Sequence, residues 1–210
     1  MNAKTQQRER SHDTILASAA RLLRERGLAG AKVADVMRGA GLTVGGFYAH
    51  FESKEALLRE VLRRASLELR TSLFAHLDEK PAADRVEVVL KRYLSARHRD
   101  ETVRGCPLPA VVGEVGTTAP EYAVVVEEQV AAMVEALQCE VPEHDGLSKR
   151  TVAIGLIALM YGGLSLSRAV VGTPLSDEIL KACRALGTHA ARRGPSVTAV
   201  TPDGSSALPS

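Results

Sequence analysis

Tyr48, His50 and Lys54 bring a hydroxyl, an imidazole and an ammonium group close together, directly behind the adjacent glycines Gly45 and Gly46. Each of the three side chains can donate a hydrogen bond to a phosphate oxygen, and two missing side chains let main chain approach a bulky partner closely. Phe47 and Phe51 are interleaved with them, although the whole chain has only three Phe and four Tyr. Being four positions apart, both rings can face one core. Glycine costs about 1 kcal/mol relative to Ala inside a helix, so this stretch serves something besides helix stability. A second candidate is Cys106, directly before Pro107. Proline at the first helical position makes Cys106 the N-cap, and a thiol there, with Arg104 nearby, should have a lowered pKa.

The elements that must hold these groups are helical. Ile15, Ala19, Leu22 and Leu23 form an apolar stripe that stops at Arg26 and Gly27, and Val33, Val36, Met37 and Ala40 form a shorter one that stops at Gly41. Thr43 can cap a short helix over residues 44–50, and Ser53 can cap a long one carrying Leu58, Val61, Leu62, Ala65 and Leu69 on one face. Further helices are predicted over residues 81–98, 107–115, 118–139, 148–171 and 176–191. Thr118 and Glu121 provide a capping box, and Ser148 and Ser176 act as caps. No stretch has a strand period. The fold class is all-α with about nine helices.

Charge separates the chain into two parts. Residues 1–64 carry 12 Lys and Arg against 7 Asp and Glu, a net of +5, whereas the remainder carries 15 against 18, a net of −3. A basic end on a mildly acidic body points to a polyanion as partner for one region only. Three widely spaced cysteines give neither a disulfide framework nor a paired metal site, so no cofactor and no metal are expected. The polar start reads as no signal peptide, and the uncharged run at residues 151–167 reads as a buried helix rather than a membrane span, so a cytoplasmic location is expected.

A helix, a tight turn at Gly41 and Leu42, and a short second helix make a helix-turn-helix, whose second helix enters the DNA major groove. Residues 8–64, above all AGLTVGGFYAHFESKEALL, resemble the DNA-binding domain of the TetR family of transcriptional regulators. The resemblance implies a homodimer on double-stranded DNA with a near-palindromic operator, released by a small-molecule inducer. It also implies a helix-turn-helix domain over residues 1–52 and a ligand-binding and dimerisation domain over 53–194, while the Pro/Ser/Gly/Thr-rich composition of 195–210 reads as a disordered tail. The expected DNA-binding residues are Lys32, Thr43, Val44, Gly45, Gly46, Tyr48, His50 and Lys54. The sequence departs from the family pattern at Ala31, where a Thr often contacts phosphate, and Lys32 beside it is the substitute.

In the body, the family plan implies a dimer face on the last two long helices, with Gly155, Gly162 and Gly163 allowing close approach. The expected ligand-binding residues are Cys106, Leu108, Val111, Val112, Tyr122, Met160 and Tyr161, and the scarcity of charges there favours a mostly apolar ligand. GCPLPAVVGEV is also similar to a segment of a TetR subgroup in which some members sense electrophiles through cysteine, so a thiol-switched repressor using Cys106 is the alternative. Cys139 and Cys183 read as packing residues. An enzyme with Cys106 as nucleophile and His98 as base, or a purely structural adaptor, would leave the helix-turn-helix and the basic end unused.

Overall fold

The computed structural model describes residues 2–101, 105–143 and 146–192. Within them lie nine α-helices and two 3-10 turns: α1 (Ala3–Gly30), α2 (Val33–Gly39), the turn Val44–Ala49, α3 (Lys54–Phe74), α4 (Ala82–Tyr93), α5 (Ala96–Asp100), α6 (Leu108–Val115), the turn Pro120–Tyr122, α7 (Ala123–Glu140), α8 (Lys149–Ala169) and α9 (Pro174–Arg192). No strand occurs among the described residues. Arg104 and the 195–210 tail lie outside them.

One long helix joins the two parts. Helix α3 buries Leu57, Leu58, Val61, Leu62, Leu69 and Leu73, a stripe repeating every three or four residues. It packs on α1, α7 and α4, while α8 packs between α7 and α9. Ser53 caps α3 by accepting the Ala56 N–H at 3.1 Å, and Ser148 caps α8 by accepting the Thr151 N–H at 3.0 Å. Each such cap contributes about 1 kcal/mol.

Several expected boundaries move, because other partners take over a backbone or hydroxyl group. The helix expected over residues 81–98 breaks at Leu94: Arg184 of α9 donates to the Leu94 carbonyl, and Ser95 starts α5 by accepting the His98 N–H at 3.1 Å. Thr118 forms no capping box with Glu121. Its hydroxyl leans back to the Glu114 carbonyl, and α7 is entered through the Pro120–Tyr122 turn. Ser176 does not open α9, which begins at Pro174. Ser176 is buried, and its hydroxyl donates to the Ser167 carbonyl at 2.8 Å, fastening α9 to α8. Helix α8 is long and apolar enough to cross a membrane by length and composition, but half of its apolar window is buried inside the fold.

Candidate nucleic-acid interface

Helix α2 ends where Gly41 adopts φ +70°, a left-handed conformation that glycine adopts without strain, and the Leu42 N–H returns to the Met37 carbonyl at 2.9 Å. The chain then enters the 3-10 turn Val44–Ala49. Phe47 and Phe51 are nearly fully buried, with ring centroids 5.8 Å apart, and His12 of α1 stacks on Phe51 at 4.6 Å. Arg8 donates to the Ala49 carbonyl at 3.0 Å, so α1 grips the turn at both its core and its rim. The aromatics thus form a small hydrophobic clamp, which leaves the opposite face of the turn to solvent.

That face carries Thr43, Val44, Gly45 and Tyr48; Val44 is 51% and Tyr48 76% exposed. Thr43 occupies the N-cap position but makes no side-chain cap, which leaves its hydroxyl available. A Cβ on Gly45 would meet nothing within 4 Å, so the fold itself does not require glycine there; Gly46 has only ordinary contacts with Thr43 and Met37. Lys32 is exposed at the N-cap of α2, again without a side-chain cap, beside the buried Ala31.

Two candidates are differently employed. His50 is half-buried with its Nδ1 buried and unpartnered, and its pKa is lowered, first by desolvation and then by His12 and Arg8. Lys54 does not project freely: its ammonium donates to the Leu28 carbonyl at 2.9 Å.

Leu28 belongs to a joint that sequence reasoning missed. Gly27 interrupts α1 with φ +68°, which frees the next N–H groups, and the Glu114 carboxylate of α6 accepts from Leu28 N–H at 2.8 Å and Ala29 N–H at 2.9 Å. A Cβ on Gly27 would collide with that carboxylate. Arg24 also donates to the Gly105 carbonyl at 2.6 Å. The end of α1 is therefore held by α3 through Lys54 and by α6 through Glu114. Neither tie has a local signal, because each spans 26 residues or more of sequence.

The expected pocket residues do not gather around one hollow. Leu108, Val111 and Met160 are fully buried core, Tyr122 is buried under Arg59, Tyr161 is 9% exposed, and Val112 faces outward at 37%. The Tyr122 hydroxyl is pushed up to about 12 by desolvation, then by Glu55 and Glu121. A cleft of about 440 Å³ instead lies beside Leu69, Leu73, Arg92, Arg97, His98 and Glu101. Gly155 and Gly162 face open space on α8, but Gly163 does not: a Cβ there would sit 2.7 Å from Cys183 Sγ and 3.2 Å from Leu94. Gly163 serves packing within the subunit.

Cys106 also departs from expectation. Pro107, not Cys106, occupies the N-cap of α6, and the thiol is buried with its pKa raised, because desolvation outweighs the Tyr93, Leu108, Arg168 and Arg24 contributions. Its backbone N–H donates to His98 Nε2 at 2.9 Å, so His98 Nδ1–H donates to the Tyr93 carbonyl at 2.7 Å. His98 is a buried bracket between backbones, with its pKa lowered to about 4, mainly by desolvation. The imidazole faces the cysteine's main chain, which supports neither the thiol switch nor a nucleophile–base pair. Among the described residues no three His, Cys, Asp or Glu side chains gather as a metal site.

Residues 15–61 match the family of bacterial regulatory proteins called the tetR family. Over 51 residues the chain is 43% identical to the HTH-type transcriptional repressor KstR2 of Mycolicibacterium smegmatis; that match spans 24% of this chain and 25% of the relative. Whole-chain similarity is to solved structures. A TetR transcriptional regulator from Chloroflexus aurantiacus matches with TM-score 0.73 at 24% identity, covering 89% of this chain and 94% of that one. E. coli NemR in its reduced form matches with TM-score 0.73 at 20%, covering 85% and 95%. The fatty acid degradation regulator FadR from Bacillus halodurans matches with TM-score 0.68 at 14%, covering 85% and 94%. At these identities the structures establish the fold.

Proposed function

We propose that the chain is a TetR-family transcriptional regulator, a homodimeric repressor that a small molecule releases from a near-palindromic operator; the match of residues 15–61 to that family and the likeness of its fold to solved members support this reading. The observation that carries this reading is the exposed face of the 44–49 turn, with open space over Gly45 and Tyr48 projecting into solvent. Thr43 and Val44 address base edges, while Tyr48 and Lys32 address phosphates on the basic half of the chain. Such a reader acts in the cytoplasm, on the genome, and the division at about residue 52 separates reading head from body.

Dimerisation is supported by two uncharged stripes. Exposed Thr151, Ile154, Gly155, Ala158, Gly162 and Leu166 run along α8, and Leu175, Ala182 and Leu186 run along α9. Ile154, Leu166, Leu175 and Leu186 are 49–64% exposed, a cost that association of two such helix pairs would remove. Release is supported by the Glu114 joint, which couples α6 in the body to the end of α1. A ligand that prefers a body with α6 displaced would shift the spacing of the two heads.

The experiment is selection of genomic fragments by purified protein, followed by binding titrations across salt and sedimentation of the complex. A two-fold-symmetric site bound by two subunits is expected, with log K falling against log salt at a slope of about −5 to −7 for roughly three to four ionic contacts per subunit. Salt-independent binding, or one subunit per site, would overturn the proposal.

A further inference from the structure

Five buried side-chain polar atoms among the described residues have no hydrogen-bond partner, and four of them lie in the body: Ser66 Oγ, Arg70 Nη1, Tyr93 Oη and Tyr161 Oη. Leaving a buried donor unpaired costs about 1–3 kcal/mol, so four in one region is not incidental packing. Tyr93 and Tyr161 stack with ring centroids 5.9 Å apart and planes 27° from parallel. Tyr93 is 0%, Ser66 4% and Tyr161 9% exposed. Ser66 and Arg70 are one turn apart on α3, and the charge of Arg70 acts on the Tyr161 hydroxyl. The sulfur of Cys106, a poor acceptor, lies within reach of Tyr93.

All four groups can donate and one is a cation, while Arg24 and Arg168 add positive field around Cys106. A cationic ligand group would be repelled there. A cleft lies next to these groups: Leu69 and Leu73, on the same face of α3 as Ser66 and Arg70, line the 440 Å³ cleft together with His98, whose ring meets Tyr93 edge-on at 4.6 Å. That volume suits a small organic molecule, and exposed Arg97 and half-buried Glu101 are also among its lining residues.

We propose that the body takes a carboxylic acid with an apolar body, its carboxylate reaching Arg70, Tyr93, Tyr161 and Ser66 from the cleft beside Leu69 and Leu73. This rests on the ligand-responsive reading above and names the chemistry of the ligand: the apolar part remains, and an acidic head is added. Two phenols and a guanidinium present an array that a carboxylate, an acceptor without donors, satisfies at both oxygens.

The test is calorimetric titration of the full chain with octanoate, 4-phenylbutyrate and benzoate, each beside its methyl ester. The expected result is binding of at least one acid, with its ester weaker by roughly ten-fold or more. Arg70→Met and Tyr161→Phe should each abolish that preference. Tyr161→Phe should leave the melting temperature of the free protein unchanged or higher, because it removes an unsatisfied hydroxyl; a marked drop would mean the hydroxyl is already paired and would overturn the site. Esters binding as well as acids, or no acid binding at millimolar concentration, would overturn it too. Operator release is read separately. Acids that bind without releasing DNA would sink the release mechanism and keep the site, and release by esters better than by acids would keep release and sink the site.

Discussion

Apart from His50, whose Nδ1 is buried and unpartnered, the reading head and the body use polar groups in opposite ways. In the head, Tyr48 stands in solvent on a six-residue turn and Thr43 at its N-cap, and two buried phenylalanines beneath hold that turn in place. In the body, tyrosines of similar hydrogen-bonding capacity are closed inside the core, Tyr161 without a partner and Tyr93 with only the Cys106 sulfur within reach. An exposed group is hydrated while it waits for a partner, so it costs stability little. A buried unpartnered group costs stability until something fills it. On the proposed reading, the head meets its partner from outside, and the body's partner must be let in.

The largest expected effect tests how the head is held. Phe47→Ala should cost about 3–5 kcal/mol in chemical denaturation, because the ring is fully buried and stacks on Phe51. A loss under 1 kcal/mol would show that the clamp does not carry the turn.

The next concerns the body's buried bracket. His98 is held near a pKa of about 4 against an ordinary value of about 6.5, so the folded form keeps it neutral while the unfolded chain takes up a proton. Its contribution is fully present above pH 6.5 and is lost as pH falls from about 6.5 to 4, reaching roughly 3 kcal/mol from the difference between those values. Denaturation midpoints of wild type and His98→Gln across that window should converge at the acid end. Parallel curves would break the assignment.

Within α8 the two neighbouring glycines sharpen the contrast between inside and outside. Gly163→Leu should destabilise the subunit itself, by about 1–3 kcal/mol or more, since Cys183 and Leu94 occupy the space. Gly162→Leu should leave the subunit folded but shift sedimentation toward monomer and weaken operator binding. Equal behaviour of the two would place the dimer face elsewhere.

The smallest effect on stability belongs to Tyr48→Phe. With the ring 76% exposed, its melting temperature should match wild type within error. DNA affinity should nevertheless fall by a similar factor on every sequence, which fluorescence anisotropy on matched and mismatched duplexes would read.

What could be read in the sequence depended on how local each feature was. The helix-turn-helix was visible because its parts are neighbours: Gly41 in the turn, Phe47 and Phe51 four apart, Ser53 one residue before α3. The body was harder. Met160 and Tyr161 are consecutive and equally apolar in pattern, yet one is plain core and the other carries an unpartnered hydroxyl. Gly162 and Gly163 differ in the same way.

The sequence by itself determined the all-helical class, the caps at Ser53 and Ser148 and the basic reading head, since helical period, capping and charge are set by residues a few positions apart. Only the tertiary structure decided that Lys54 holds Leu28, that Glu114 caps the turn after Gly27, and that Cys106 is a buried thiol below the Pro107 cap. Each depends on which distant helix comes to lie alongside. A carboxylate 86 residues away can replace a local cap only after the core has brought α6 against α1.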